Sequence, residues 1–101
     1  MFYKKLVLLD SVKIDIQESK NFYESIEAGA GQYFLNCILS DLQILSSNSG
    51  IHKKVHGFYQ ALSKKFPFAI YYDVIDEKIV VVAILDMRQN PNSIIKRLRS
   101  L

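Results

Sequence analysis

A set of cations marks the ends of apolar runs in this 101-residue chain: Lys53, Lys54, Lys64, Lys65 and Arg88. Around the concavity of a curled sheet they would receive phosphate, lysine as a compact charge and arginine as a bidentate donor. Lysines flanking strands also serve simply to solvate edges and discourage aggregation, and the pattern leaves both roles open. Tyr71 and Tyr72 must project to opposite faces of a strand. Tyr72 shares its face with Phe68, Ile70 and Val74, a core set, which leaves Tyr71, beside Ala69 and Asp73, as the better candidate to face a cleft, with simple half-buried packing as the other role open to it. Asp86 and Arg88 fall on one face where the last apolar run ends. They are spaced either to form a local ion pair that orients the guanidinium or to leave Arg88 as a solvated strand end.

Other chemistries lack their residues. There is no Gly-rich phosphate loop, no Cys/His metal spacing and no Gly-x-Ser-x-Gly elbow. His52 and His56, the only two histidines, would stand about 13 Å apart on an extended strand, too far to share one ion; on a helix they would be close. Neither a metal nor a cofactor is expected. Cys37, the single cysteine, sits among Phe34, Leu35, Ile38 and Leu39 and reads as a buried packing thiol with no disulfide partner.

The elements that must position these groups follow from composition and periodicity. Half the residues are hydrophobic and 23% are charged, which is the make-up of a globular chain and not of a disordered one. The length suits one domain spanning residues 1–101. The formal charge of +3 favours acidic partners without resembling the dense basic arms of dedicated DNA binders. No run approaches the roughly 20 apolar residues that span a bilayer, and the N-terminal apolar run is too short for a signal peptide, so a cytoplasmic location without membrane contact is expected.

Residues 2–9 read as a strand, followed by Asp10 or Ser11 as a helix N-cap. Val12, Ile16, Tyr23 and Ile26 recur at helical spacing, with Asp15, Glu18, Lys20 and Glu24 on other faces, and the helix should end near Ala28-Gly29. A second, mostly buried helix carries Phe34, Ile38, Leu42 and Leu45, flanked by Leu35 and Leu39, and stops in Ser46-Ser47-Asn48-Ser49-Gly50. Strands are expected over Val55–Lys65, Phe68–Ile75 and Ile79–Leu85, the last an unbroken apolar run of the kind covered on both faces and central in a sheet. Asp76-Glu77 makes the turn between the last two, and Pro67 interrupts the chain ahead of Phe68. Asn92 or Ser93 should cap a short final helix with Ile94, Ile95 and Leu98 packed and Lys96, Arg97 and Arg99 in solvent. The order β-α-α-β-β-β with a short C-terminal helix implies α+β: a helical hairpin packed on one face of a largely antiparallel sheet.

The segment Lys64-Lys65, Phe66-Pro67-Phe68, Ile70-Tyr71-Tyr72, Asp76-Glu77, Ile79 to Ile84, Arg88 and Asn90-Pro91 resembles the end of toxins of the RelE/ParE family of bacterial type II toxin–antitoxin pairs. The likeness extends to the element order of most of the chain. It implies two activities on one fold, ribosome-dependent mRNA cleavage in the RelE branch and poisoning of DNA gyrase in the ParE branch, so fold does not settle function. RelE-type cleavage needs a group to activate the ribose 2′-hydroxyl, a proton donor for the leaving oxygen and cations for the phosphate. The candidates for those roles are Lys64, Lys65, Tyr71 and Arg88.

Several positions depart from the RelE pattern. Ala69 stands where an active-site arginine is implied, Gln89 follows Arg88 where a second basic residue is implied, and Asp86 replaces a histidine. The expectation is therefore a growth-arresting toxin directed at gyrase or another protein, ahead of a ribosome-dependent mRNA endoribonuclease, with a non-toxic binding module on the same scaffold as the remaining reading. The resemblance also implies an antitoxin whose extended segment wraps the toxin, suited to a net-positive chain if acidic. The groove beside the helical hairpin and the final helix, with Lys96, Arg97 and Arg99, are the expected surfaces.

Overall fold

The computed structural model describes residues 4–101, so residues 2 and 3 of the expected first strand lie outside the described residues. The elements are β1 (Lys5–Leu8), α1 (Asp10–Ile26), α2 (Ala30–Asn48), β2 (Lys54–Val55), β3 (Phe58–Leu62), β4 (Phe68–Ile75), β5 (Lys78–Asp86) and α3 (Pro91–Arg99). The strands form one sheet in the order β1-β5-β4-β3-β2. β1 lies parallel to β5, and every other pair is antiparallel. This is the expected α+β architecture.

Periodicity explains which faces meet. Val12 of α1 and Phe34, Ile38, Leu42 and Leu45 of α2 pack on Phe68, Ile70, Tyr72, Ile79, Val81 and Ile84. On the opposite face α3 lays Ile94 and Leu98 over Ala69, Tyr71, Val82, Ala83 and Leu85. Coverage on both faces is why β5 could be an unbroken apolar run, and β1 and β4 flank it as an interior strand requires. A register shift at Tyr71/Tyr72, opposite Val81 and Ala83, leaves Val82 as an extra residue. Val82 and Ala83 consequently both join the α3 layer, and the backbone beyond them changes its hydrogen-bonding side.

Local chemistry corrects several expected boundaries. Val55–Lys65 is not one strand. His56 (φ 54°) and Gly57 (φ 88°) both take positive φ and form a two-residue hairpin turn between β2 and β3. Asp76 and Glu77 do the same between β4 and β5, as expected. Leu9, not Asp10 or Ser11, is the N-cap of α1 and offers no side-chain cap; Asp10 lies in the first turn, where its charge suits the helix dipole. α3 begins before Asn92. The Asn90 side chain accepts from Asn92 N–H and Pro91 occupies the first turn, where its missing donor is not needed. α2 is buried along one face only, with Tyr33, Leu39 and Ile44 exposed, and Ile26 at the end of α1 is exposed as well. Cys37 is half-buried, not fully enclosed.

The helical hairpin turns on Glu24. Its carboxylate accepts from Gly29 N–H (2.9 Å) and Gly31 N–H (3.0 Å), which supplies the opening turn of α2 with acceptors that α1 provides. Gly31 sits so close to α1 that a Cβ there would stand 2.6 Å from the Lys20 carbonyl oxygen. A backbone obstacle cannot rotate away, so Gly31→Ala should destabilise the fold by about 1–3 kcal/mol by forcing the helices apart. Urea denaturation would measure it, and an unchanged midpoint would show that the hairpin yields at no cost.

Candidate functional site

Arg88 is turned back onto the chain. Its Nη2 and Nε donate to the Asp86 carboxylate at 2.7 and 3.0 Å, its backbone N–H to the same carboxylate at 2.8 Å, and Nη2 also to the Tyr23 hydroxyl at 3.2 Å. The Asp86–Arg88 pair expected from spacing is present. The side-chain bond from Arg88 holds the Asp86 carboxyl below its ordinary value, and the Asp86 bond raises the guanidinium above its own. Tyr23 in turn stacks on Phe34 at 5.1 Å and meets Phe66 edge-on at 4.9 Å. The Phe66-Pro67-Phe68 bend thus packs beneath the helical hairpin, next to the residue that Arg88 grips.

Tyr71 does not face a cleft. It is 1% exposed beneath α3, its hydroxyl accepting from Gln60 Nε2 (2.9 Å) and donating to Met87 Sδ (3.6 Å). The face opposite the helical hairpin is covered by a helix of its own, so alternation placed Tyr71 in a second core layer. Ala69, where the resemblance implies an arginine, is 0% exposed in the same layer. A guanidinium there would have no route to a substrate without displacing α3.

Lys64 and Lys65 are exposed beside α2, lining an open groove with Tyr33, Cys37, Asp41 and Ile44. Lys64 also borders a cavity of about 180 Å³ that continues the groove between α2 and β3. Of the other cations, Lys54 is engaged, with Nζ 4.9 Å from the centre of the Tyr59 ring. The histidines are apart in role: His52 Nδ1 meets the Tyr72 hydroxyl, which also accepts from Gly50 N–H, while His56 shapes the β2–β3 turn. Burial raises the Tyr72 phenol above its ordinary value, against the smaller opposing effect of the Gly50 bond.

On α3, Lys96 and Arg99 are exposed along an open face with Asn92 and Ile95. Arg97 is not in solvent. Its two terminal nitrogens donate to the two Asp15 oxygens at 2.7 and 2.8 Å, with the Arg97 side chain 26% and the Asp15 side chain 10% exposed. The same carboxylate accepts from Ile84 N–H at 3.2 Å, so one side chain joins α1, β5 and α3. The bond to Asp15 raises the Arg97 guanidinium further above its ordinary value. Helical periodicity put Asp15 on a solvent face, and nothing in the sequence marks it. The register shift in β5, which turns Ile84 N–H outward, is the missing signal.

Above these residues lies an open cavity of about 400 Å³, bordered by Glu18, Phe22, Asp86 and Gln89, with Asp15 and Arg97 at its inner wall. Asp15, Asp86 and Arg97 are already paired within the chain.

No protein-family model and no curated protein matches the sequence. Among solved structures, a chain of the chromosomal ParDE TA system from P. aeruginosa is similar, with TM-score 0.65 and 17% identity over 81% of this chain and 94% of that one. The chain has a ParE-like fold. At that identity the likeness lies in the architecture already described, the helical hairpin on the sheet and the short closing helix. No helix among the described residues of this ParE-like chain is long and apolar enough to cross a membrane.

Asp15→Ala should destabilise the protein by about 3 kcal/mol, since it leaves a partly buried guanidinium and a backbone N–H without partners. Asp15→Ala combined with Arg97→Met should cost less than the sum of the single changes, read from urea midpoints; strict additivity would deny the coupling. A pH dependence also follows. The depressed Asp86 and Glu24 carboxyls contribute stability that is present above the ordinary carboxylate range of about 4 and is lost as pH falls through their lower folded values. Asp86→Asn should therefore flatten the acid limb of a stability–pH profile while changing its slope near neutrality little.

Proposed function

We propose that the chain is the toxin of a type II toxin–antitoxin pair, arresting growth through a protein target, with DNA gyrase the leading candidate, and held inactive by an antitoxin. One observation carries the choice of target. The groups a ribonuclease of the RelE type would use are engaged elsewhere: Tyr71 is sealed under α3, Arg88 is bound by Asp86 and Tyr23, and Ala69 offers no cation. Of these candidates only Lys64 and Lys65 are exposed without an ion-pair partner among the described residues, in a groove with a partly apolar lining, whereas Arg88 is exposed but paired. Two lysines can attract phosphate, but neither Tyr71 nor Arg88 is free beside them to act on the ribose 2′-hydroxyl or the leaving oxygen. Binding a protein needs a surface and no reacting group.

The ParE-like architecture supports the toxin reading, and the net positive charge suits an acidic antitoxin segment. The test is induced expression in bacteria lacking the antitoxin, with primer-extension mapping of a translated mRNA during the arrest. Growth should stop while the mRNA stays intact, and purified gyrase should then lose supercoiling activity in the presence of the protein. Codon-phased, translation-dependent cuts would replace this reading with an mRNA endoribonuclease. Undisturbed growth would leave a non-toxic binding module. Arg88→Ala discriminates further: arrest should persist, whereas loss of arrest by a folded variant would place Arg88 in the functional machinery.

A further inference from the structure

The link between α2 and β2 leans on one hydroxyl. Residues 49–53 run without regular secondary structure apart from a turn, where Gly50 takes φ 86°. Two contacts from this link converge on the Tyr72 hydroxyl: Gly50 N–H donates to it at 2.9 Å, and His52 Nδ1 is in hydrogen-bond contact with it. A further tie to the sheet comes at the far end, where the Lys53 carbonyl accepts from Gln60 N–H at 3.0 Å. Tyr72 is 0% exposed, stacked on Tyr59 at 5.1 Å and met edge-on by the His52 ring at 5.6 Å.

Proton count fixes the donor and acceptor roles at this hydroxyl. A phenol has one proton to give and lone pairs to receive with. Gly50 N–H can only donate, so it takes a lone pair, and the phenol's own proton still needs an acceptor. Burial raises the phenol above its ordinary value, so it keeps that proton through the neutral range. Ser49 Oγ, beside Gly50 in the chain, is buried and makes no hydrogen bond among the described residues, so it does not take the proton. His52 Nδ1 is the acceptor in contact with the hydroxyl, which makes His52 the tautomer with its proton on Nε2. In that state Gly50 N–H, the phenol and Nδ1 are all satisfied. A second proton on His52 ends this. Nδ1 becomes a donor, Tyr72 then faces two donors, and its own O–H is left in the core without an acceptor, the costly outcome for a buried polar group.

We propose that His52 and Tyr72 form a proton-operated latch: with His52 neutral, residues 49–52 are held to the sheet, and with His52 charged the imidazolium leaves for water and the link is released. Ile51 and His52 wall the cavity of about 180 Å³ between α2 and β3, together with Ile44, Ala61 and Ile70, so release opens that cavity. The charged and titratable groups around the imidazole are Asp41 of α2 and Lys64 beyond β3, on the same cavity, Lys53 next in the chain, and Lys54 over the Tyr59 ring that stacks on Tyr72. None of these hydrogen-bonds the imidazole, which leaves Tyr72 as the group that holds it. The latched form carries fewer protons than the released one. Closure is therefore present above the ordinary histidine range, roughly pH 6.5, and is lost as pH falls through it. The device needs no partner and stands apart from the toxin reading.

The test is NMR of the 15N-labelled full chain between about pH 8 and about pH 5. At the upper pH the His52 ring should carry its proton on Nε2, and the Gly50 amide should be protected from exchange. At the lower pH, Gly50 protection corrected for intrinsic rates should fall at least about tenfold, in step with protonation of the His52 ring and with a shift of the Ile44 side chain. His52→Asn sets an amide oxygen near the Nδ1 position and does not titrate, so the pH response should vanish, whereas His56→Asn, at the other imidazole, should keep it. Tyr72→Phe should leave Gly50 unprotected at both pH values; if that variant does not fold, His52→Asn decides the matter. A proton on Nδ1 at the upper pH, unchanged Gly50 protection while the His52 ring titrates, or the same pH response in His52→Asn would overturn the proposal.

Discussion

The Asp15 carboxylate is the point on which the arrangement depends. A charge on the sheet-facing side of a helix must find compensation close by, because a largely buried carboxylate without partners is costly. Asp15 finds it twice, in the fork of Arg97 and in Ile84 N–H. The second bond exists because the extra residue Val82 changes which side of β5 the following amides face. The first fixes α3 across the sheet, which buries Tyr71 and Ala69 and gives β5 its second covered face. A defect in strand register is thereby converted into the attachment of a helix.

The same logic applies to most of the polar residues that look chemical. Arg88 is bound to Asp86 and Tyr23, Arg97 to Asp15, Lys54 to the face of Tyr59, and His52 to Tyr72. Each joins elements or fixes a turn, and each is less available to a substrate for doing so. Among the described residues Lys53, Lys64 and Lys65 have no ion-pair partner, and the last two flank an apolar groove and an unpaired strand edge. That combination suits recognition of a polypeptide better than phosphoryl chemistry, and it directs the functional reading toward protein partners.

The sequence made the large pattern legible because burial obeys period. The unbroken run Ile79–Leu85 could only be an interior strand, and Phe34, Ile38, Leu42 and Leu45 could only be one face of a helix. Turns were legible where one residue pair carried the signal, as at Asp76-Glu77, and missed where His56 took positive φ beside Gly57. The site was read less well. Alternation makes Tyr71 the better cleft candidate of the two tyrosines but leaves packing open, because it distinguishes two faces without saying whether the second is covered. Arg97 and Asp15 lie 82 positions apart, and no local pattern couples them. Arg88 and Asp86 were legible together because their pairing is local.

Amide hydrogen exchange, resolved by residue, tests the contrast between the two edges most directly. Among the described residues Ile84 and Leu62 both sit on β-strands with no neighbouring strand on the outward side, yet only Ile84 N–H has an acceptor. Ile84 should exchange through openings close to global unfolding, at least about a hundredfold more slowly than Leu62 after correction for intrinsic rates. Equal, fast exchange at both amides would mean that Asp15 does not close the β5 edge, and the account of how α3 is held would fail with it.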